Sequence, residues 1–233
     1  MGIWEKFGTV AAEIVERAPI RTLFERLRDQ LFGDAEERRQ MAFTMAMVAL
    51  SAKMAKADGV VTADEIAAFE RLFHMPVGQE RNIARFFDFA RQDVAGFEAY
   101  ASQVAELYPD SPEMLEDILD GLFQVAGADG AMHEAELLFL EQVGAIFGLA
   151  DGDFQRIKAR HVVPDASDPY VILGIDRSIS DSELKRHYRR LVMENHPDRH
   201  IALGVPEEFV VIATEKLAII NEAYDRIAKE RRL

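Results

Sequence analysis

Apolar residues recur at intervals of three and four through almost the whole of this chain, and nowhere do they alternate for the length of a strand. That spacing belongs to helices with one buried face, so the expected fold class is all-α. Trp4, Phe7, Ala11, Ile14 and Val15 form one stripe. Ile20, Leu23, Phe24, Leu27 and Leu31 form a second. Pro19 divides them, because a proline disfavours helix at the residue before it. A run rich in Met and Ala at 40–57 consists of strong helix formers and closes at the turn Asp58-Gly59. Further helical runs are expected at 62–74, 77–95, 97–107, 111–127, 133–148 and 151–160. Gly96, Pro109, Pro112 and Gly121 mark turns, starts or weak points between and within them.

The chain has 233 residues, 49% of them hydrophobic, which is enough for one large domain or two small ones with a substantial core. It has no cysteine, which excludes disulfides, thiolate metal sites and cysteine nucleophiles, and suits a reducing compartment. The net charge of −14 is unevenly spread. Residues 41–160 hold nine bases against twenty acids, whereas residues 168–233 hold eleven against twelve. An acidic block of that kind argues against nucleic acid as a partner. Glu5, Lys6, Glu13, Glu16, Arg17 and Arg21 interrupt the apolar runs of the N-terminus, so it does not read as a secretory signal. No window approaches the roughly 20 apolar residues of a membrane span. A soluble, cytoplasmic protein is expected. The N-terminal helices have three destinations open to them: the acidic block, a second copy in a homodimer, or a membrane surface. Their mixed charge lacks the Lys/Arg bias of an interfacial helix and favours the first two.

The acidic block contains an internal repeat. Ala57-Asp58-Gly59 through Asp64-Glu65 aligns with Ala128-Asp129-Gly130 through Ala135-Glu136, each copy between two apolar helices. Two similar helix–turn–helix halves packed on each other are the expected result. This pattern, with a Glu seven residues after the Asp of Asp-Gly, resembles the TerB fold named for tellurite-resistance proteins, over about residues 38–160. Asp58, Glu65, Asp129 and Glu136 would converge if the halves pack symmetrically. Four carboxylates suit a hard cation such as Ca²⁺ or Mg²⁺, and the resemblance implies metal binding through such acids. Equally, Asp-Gly makes a tight turn, and acids in a first helical turn answer the helix dipole. Neither copy has the alternating ligands of an EF-hand, and His133-Glu134 lacks the second His of a zinc-protease helix. No phosphate-binding glycine loop or nucleophile elbow is present, so no enzyme is expected.

The segment 161–167, His-Val-Val-Pro-Asp-Ala-Ser, reads as a linker. Beyond it, Tyr170-Val171-Ile172-Leu173-Gly174 precedes a basic amphipathic segment. Ser180 and Glu183 have capping-box spacing and should start a helix. Leu184, Tyr188 and Leu191 form its buried stripe, while Lys185, Arg186, Arg189 and Arg190 project from the other side. His196-Pro197-Asp198 follows, and Pro197 is expected to end the helix. His196 and His200 are four apart, but the proline between them breaks the geometry of a helical metal pair. A last helix should begin near Pro206. Phe209, Ile212, Ala213, Leu217, Ile220, Tyr224 and Ile227 are expected to face the basic helix.

The ordered set Tyr-x-x-Leu-Gly, basic helix, His-Pro-Asp and second helix resembles the J-domain of DnaJ-type co-chaperones, over residues 168–233. Lys216, Ile220, Asn221, Ala223 and Tyr224 match that family's Lys-x-x-x-Ile-Asn-x-Ala-Tyr pattern and are read mainly as core and helix-pair residues. The resemblance implies a DnaK-type chaperone as partner, docked at the junction of its ATPase domain and interdomain linker. Asp198 would accept charge-assisted hydrogen bonds from a partner arginine, His196 would donate to or pack against the partner, and Pro197 would hold the loop. Lys185, Arg186, Arg189, Arg190 and Asn221 complete the implied chaperone-binding set. TerB followed by a C-terminal J-domain is similar to the DnaJ-like protein A family. Two departures from the J-domain pattern are visible: the chain stops at Leu233, where many J-domains add a short fourth helix, and the loop expected from Asp198 to Pro206 is longer and more apolar than a minimal one. Both resemble the C-terminal J-domain of that family, but residues 1–37 are charged where the family has a membrane segment.

The sequence thus predicts N-terminal amphipathic helices at 1–37, a TerB-like acidic domain at 38–160, a linker at 161–167 and a J-domain at 168–233. The function it implies is stimulation of a DnaK-type ATPase, with the TerB-like domain recruiting a client or partner and no cofactor required. The competing reading is a stress-response module in which TerB binds metal or protein and the J-domain regulates it.

Overall fold

The computed structural model describes residues 43, 46–54, 67–68, 96–130, 132–162, 168–202 and 207–233. Among them there are helices and no strand. Residues 46–54 form α1. There follow α2 (Phe97–Leu107), α3 (Pro112–Ala126), α4 (Glu134–Ile146) and α5 (Asp151–His161), and then α6 (Pro169–Leu173), α7 (Asp181–Glu194), α8 (Pro197–Ala202) and α9 (Glu207–Arg231). The helices expected at 97–107, 111–127, 133–148 and 151–160 are present within two residues at each end. The expected helices of residues 1–37 and the first copy of the repeat lie outside the described residues.

The acidic domain is organised around α3. Pro112 occupies its first turn, where a missing N–H costs nothing, and eleven of its fifteen residues are buried. Such a helix is apolar on nearly every side because other helices cover it on nearly every side. Ile118, Leu119, Leu122 and Phe123 are fully buried, among Phe43, Met47 and Leu50 before them and Leu140, Val143 and Ile157 after them. Each such side chain contributes roughly 1.5–3 kcal/mol through its removal from water. Gly121 lies inside α3 and is buried, so it marks no break in the helix.

The C-terminal domain has a second, smaller core of Tyr170, Ile172, Leu173, Leu184, Leu191, Ile220, Ala223 and Ile227. The Tyr-x-x-Leu-Gly motif now has a physical account. Asp168 caps α6 by accepting from the Tyr170 N–H at 3.0 Å, and Pro169 takes the first helical position. Tyr170 and Leu173 are buried, and Gly174 ends the turn at φ 66°, ψ 39°, a left-handed conformation that glycine adopts without steric cost. Ser180 starts α7 with the expected reciprocal bonds: Glu183 N–H to Ser180 Oγ and Ser180 N–H to the Glu183 carboxylate, both 3.3 Å.

Three expectations need correction. Helix α5 runs through His161, whose ring bonds Asp120, so that residue belongs to the acidic domain and not to a linker. Pro197 follows the end of α7 but also opens α8; with Asp198 in its first turn it is a good starting residue, so the stretch expected as loop is helical as far as Ala202. Ile212, expected against the basic helix, is fully buried in the core of the acidic domain instead. Helix α9 is 25 residues long, roughly 37 Å, and so can serve two cores: its later turns pack on α7 and its earlier turns on α3.

Candidate functional site

Helix α7 ends at Glu194, and Asn195 closes it by bonding the Leu191 carbonyl through both its backbone N–H (3.0 Å) and its side-chain amide (2.8 Å). His196 then turns outward. Its Nδ1 accepts from the Asp198 N–H at 3.2 Å, which leaves the ring proton on Nε2, available to a partner. The His196 carbonyl accepts from the Arg199 N–H at 2.9 Å, and the Arg199 guanidinium reaches back to the Glu194 carbonyl at 3.1 Å. These local bonds fix the tripeptide while leaving its side chains open: 48% exposed for His196 and 85% for Asp198. An exposed carboxylate held in a rigid turn is suited to charge-assisted hydrogen bonds.

Lys185, Arg186, Arg189 and Arg190 are all exposed on α7, as expected. Lys185 with Arg189, and Arg186 with Arg190, place like charges one turn apart, each pair costing about 0.2–0.5 kcal/mol. Two of the cations have loose ion pairs on the same helix: Glu183 is 3.8 Å from Arg186, and Glu194 3.9 Å from Arg190. Arg190 also donates to His187 Nδ1 at 2.8 Å, while His187 Nε2 donates to the Leu173 carbonyl at 2.8 Å. The basic helix is thereby fastened to the Tyr-x-x-Leu-Gly turn.

Asn221 lies inside the helix pair. Its side-chain oxygen accepts from the Tyr188 hydroxyl at 2.9 Å, and the Tyr188 and Tyr224 rings stack with centroids 3.9 Å apart. Burial raises the Tyr188 hydroxyl pKa, with Asp225 and Tyr224 adding to it, so the phenol stays a donor. Asn221 therefore has a helix-pairing contact beside the chaperone-binding role the resemblance implies.

Of the four carboxylates proposed as cation ligands, Asp58 and Glu65 lie outside the described residues. Asp129 is exposed in the turn before Gly130, whose φ of 85° requires glycine. Glu136 is buried and accepts from the His133 N–H at 2.9 Å, the helix-capping use that acid spacing also allows. Among the described residues no group of three or more His, Asp or Glu is placed to hold a metal ion.

Two polar centres escaped the sequence reading. Arg231, near the end of α9, donates to the Tyr170 hydroxyl (3.0 Å), the Ile179 carbonyl (2.7 Å), the Asp181 carboxylate (3.1 Å) and the Arg177 carbonyl (2.8 Å). Its guanidinium lies over the Tyr170 ring, 5.2 Å from the centroid. One residue thus ties the end of the last helix to the α6–α7 loop. The second centre is buried between domains. Asp120 bonds Arg160 at 2.5 Å and His161 Nε2 at 2.8 Å, and Lys216 Nζ lies 2.6 Å from Asp117 and 3.7 Å from Asp120. Burial pushes the Asp120 pKa up, but Arg160, the His161 hydrogen bond and Lys216 together outweigh it, so the carboxyl is held well below its ordinary value. Only the spacing of Asp117 and Asp120 on one helix face hinted at this centre, and acids at that spacing are usually solvated.

A cleft of about 470 Å³ opens between the domains. One wall has Glu113, Glu116 and Asp153 from the acidic domain; the other has Arg190, Asn195 and Arg199 beside the His-Pro-Asp turn.

Comparison with known proteins agrees with this architecture. Residues 44–159 match the family described as Tellurite resistance protein TerB, and residues 168–232 match the DnaJ domain. The chain is similar to Co-chaperone protein DjlA of Photobacterium profundum, 28% identical over 84% of this chain and 80% of that protein. The Coxiella burnetii protein of the same name is 29% identical over 76% of this chain and 73% of its own length. That of Pasteurella multocida is 26% identical over 97% and 92%. No solved structure matches. With a TerB domain followed by a DnaJ domain, and similarity to these co-chaperones over most of its length, the chain is consistent with a DjlA-like family.

Proposed function

We propose that this protein is a co-chaperone that docks on a DnaK-type chaperone through His196-Pro197-Asp198 and the basic face of α7, and so accelerates the partner's ATP hydrolysis. The observation that supports this most is the combination at the end of α7: a carboxylate 85% exposed in a hydrogen-bonded turn, beside four exposed cations. None of these groups performs bond chemistry. Their role is to favour one conformation of the partner, in which its own site hydrolyses ATP. The TerB domain recruits a client or partner protein in this reading, and its acidity suits a basic one.

The test is single-turnover ATP hydrolysis by a DnaK-type chaperone with this protein, its Asp198→Asn form and its His196→Gln form. Stimulation by the unsubstituted protein alone supports the reading. Equal stimulation by all three would refute the role given to the turn, and stimulation by none would turn attention to the TerB domain as the working part.

A further inference from the structure

We propose that Lys216 is a positioning residue that latches the DnaJ domain onto the TerB domain in one orientation, its ammonium seated between Asp117 and Asp120. The sequence pattern placed Lys216 within the helix pair, but its Nζ reaches across 99 residues of chain to Asp117 at 2.6 Å, with Asp120 at 3.7 Å. The lysine side chain is 4% exposed and the two carboxylates 2% and 1%.

Charge balance makes the contact more than incidental. Asp120 also meets Arg160, 1% exposed, and His161 within the TerB domain, and Lys216 brings a further cation to both acids from the DnaJ domain. A buried ammonium without a counter-charge is strongly unfavourable, and Lys216, 4% exposed, meets its counter-charges on the TerB domain.

The same face of α9 adds an apolar contact. Ile212, one turn before Lys216, is fully buried in the TerB core, with Val211 packed at its edge. At the other side of the interface α6 packs on α5, and Arg156 approaches so closely that a Cβ at Gly174 would lie 3.0 Å from its Cδ. Three separate contacts define an orientation, not merely a tether. It sets Glu113, Glu116 and Asp153 of the TerB domain, the last two paired with Arg156, in one cleft with Arg190, Asn195 and Arg199.

The experiment is independent of any chaperone activity, so its failure would not touch the reading above. The chain has no cysteine, so Gln155→Cys on α5 and Glu222→Cys on α9, both exposed, allow spin labels to be placed on the two domains of the full protein. Double electron–electron resonance should give one narrow distance distribution. Lys216→Glu should broaden it and shift it to longer distance, with helical circular dichroism retained. The charge-swapped pair Asp117→Lys with Lys216→Asp should restore narrowness, and if Lys216→Glu alone does not fold, Lys216→Gln should show the broadening. A broad distribution in the parent, or a narrow unchanged one in every Lys216 variant that folds, would overturn the latch.

Discussion

Asp120→Asn tests the buried centre directly. The substitution keeps the shape of the side chain and removes one charge at a position with no exposure. Arg160 would then face a neutral amide while 1% exposed, with its Nε already lacking a hydrogen-bond partner. His161 would lose its carboxylate acceptor, and Lys216 would keep only Asp117. Breaking a buried pair in this way costs about 3–5 kcal/mol, against a total stability of about 5–15 kcal/mol for a native domain. With a urea m-value of roughly 3 kcal/mol/M, the unfolding midpoint at pH 7 should fall by roughly 1–2 M. The pH dependence gives a second readout. The folded carboxyl titrates below its unfolded value of about 3.9, so its contribution is fully present above that value and is lost as the pH falls through the folded pKa. The deficit of the variant should therefore be constant from pH 7 to about pH 5 and narrow below about pH 4. Urea titrations followed by circular dichroism at pH 7 and pH 3 measure both. An unchanged midpoint at pH 7, or a deficit equal at the two pH values, would refute the reasoning.

Gly174→Ala forces a Cβ into a left-handed turn and against Arg156, and should cost about 1–2 kcal/mol in the same urea assay. Tyr188→Phe removes the bond to Asn221 while keeping the ring stack, and should cost about 0.5–1.5 kcal/mol without changing the exposed face of α7. Arg189→Glu on that face should leave thermal stability within about 0.5 kcal/mol but weaken chaperone binding, and the loss should shrink as salt is raised. Isothermal titration at two ionic strengths distinguishes that from a folding defect.

Periodicity alone determined that the chain is helical and where most described helices lie, because a helix with one buried face writes that face into the sequence at intervals of three and four. Short-range motifs were equally readable: the Ser180–Glu183 box and the exposed cations of α7 depend on neighbours within one or two turns. The turn at His-Pro-Asp was legible for the same reason, although Pro197 opens a helix as well as following one. Tertiary structure alone decided the rest. Asp120 and Arg160 are forty residues apart, and Lys216 is ninety-nine from Asp117. Arg231 joins four groups fifty or more residues before it. A charged residue on a helix has the same local signature whether it meets water or a buried counter-charge, and only the packing of distant helices removes the water.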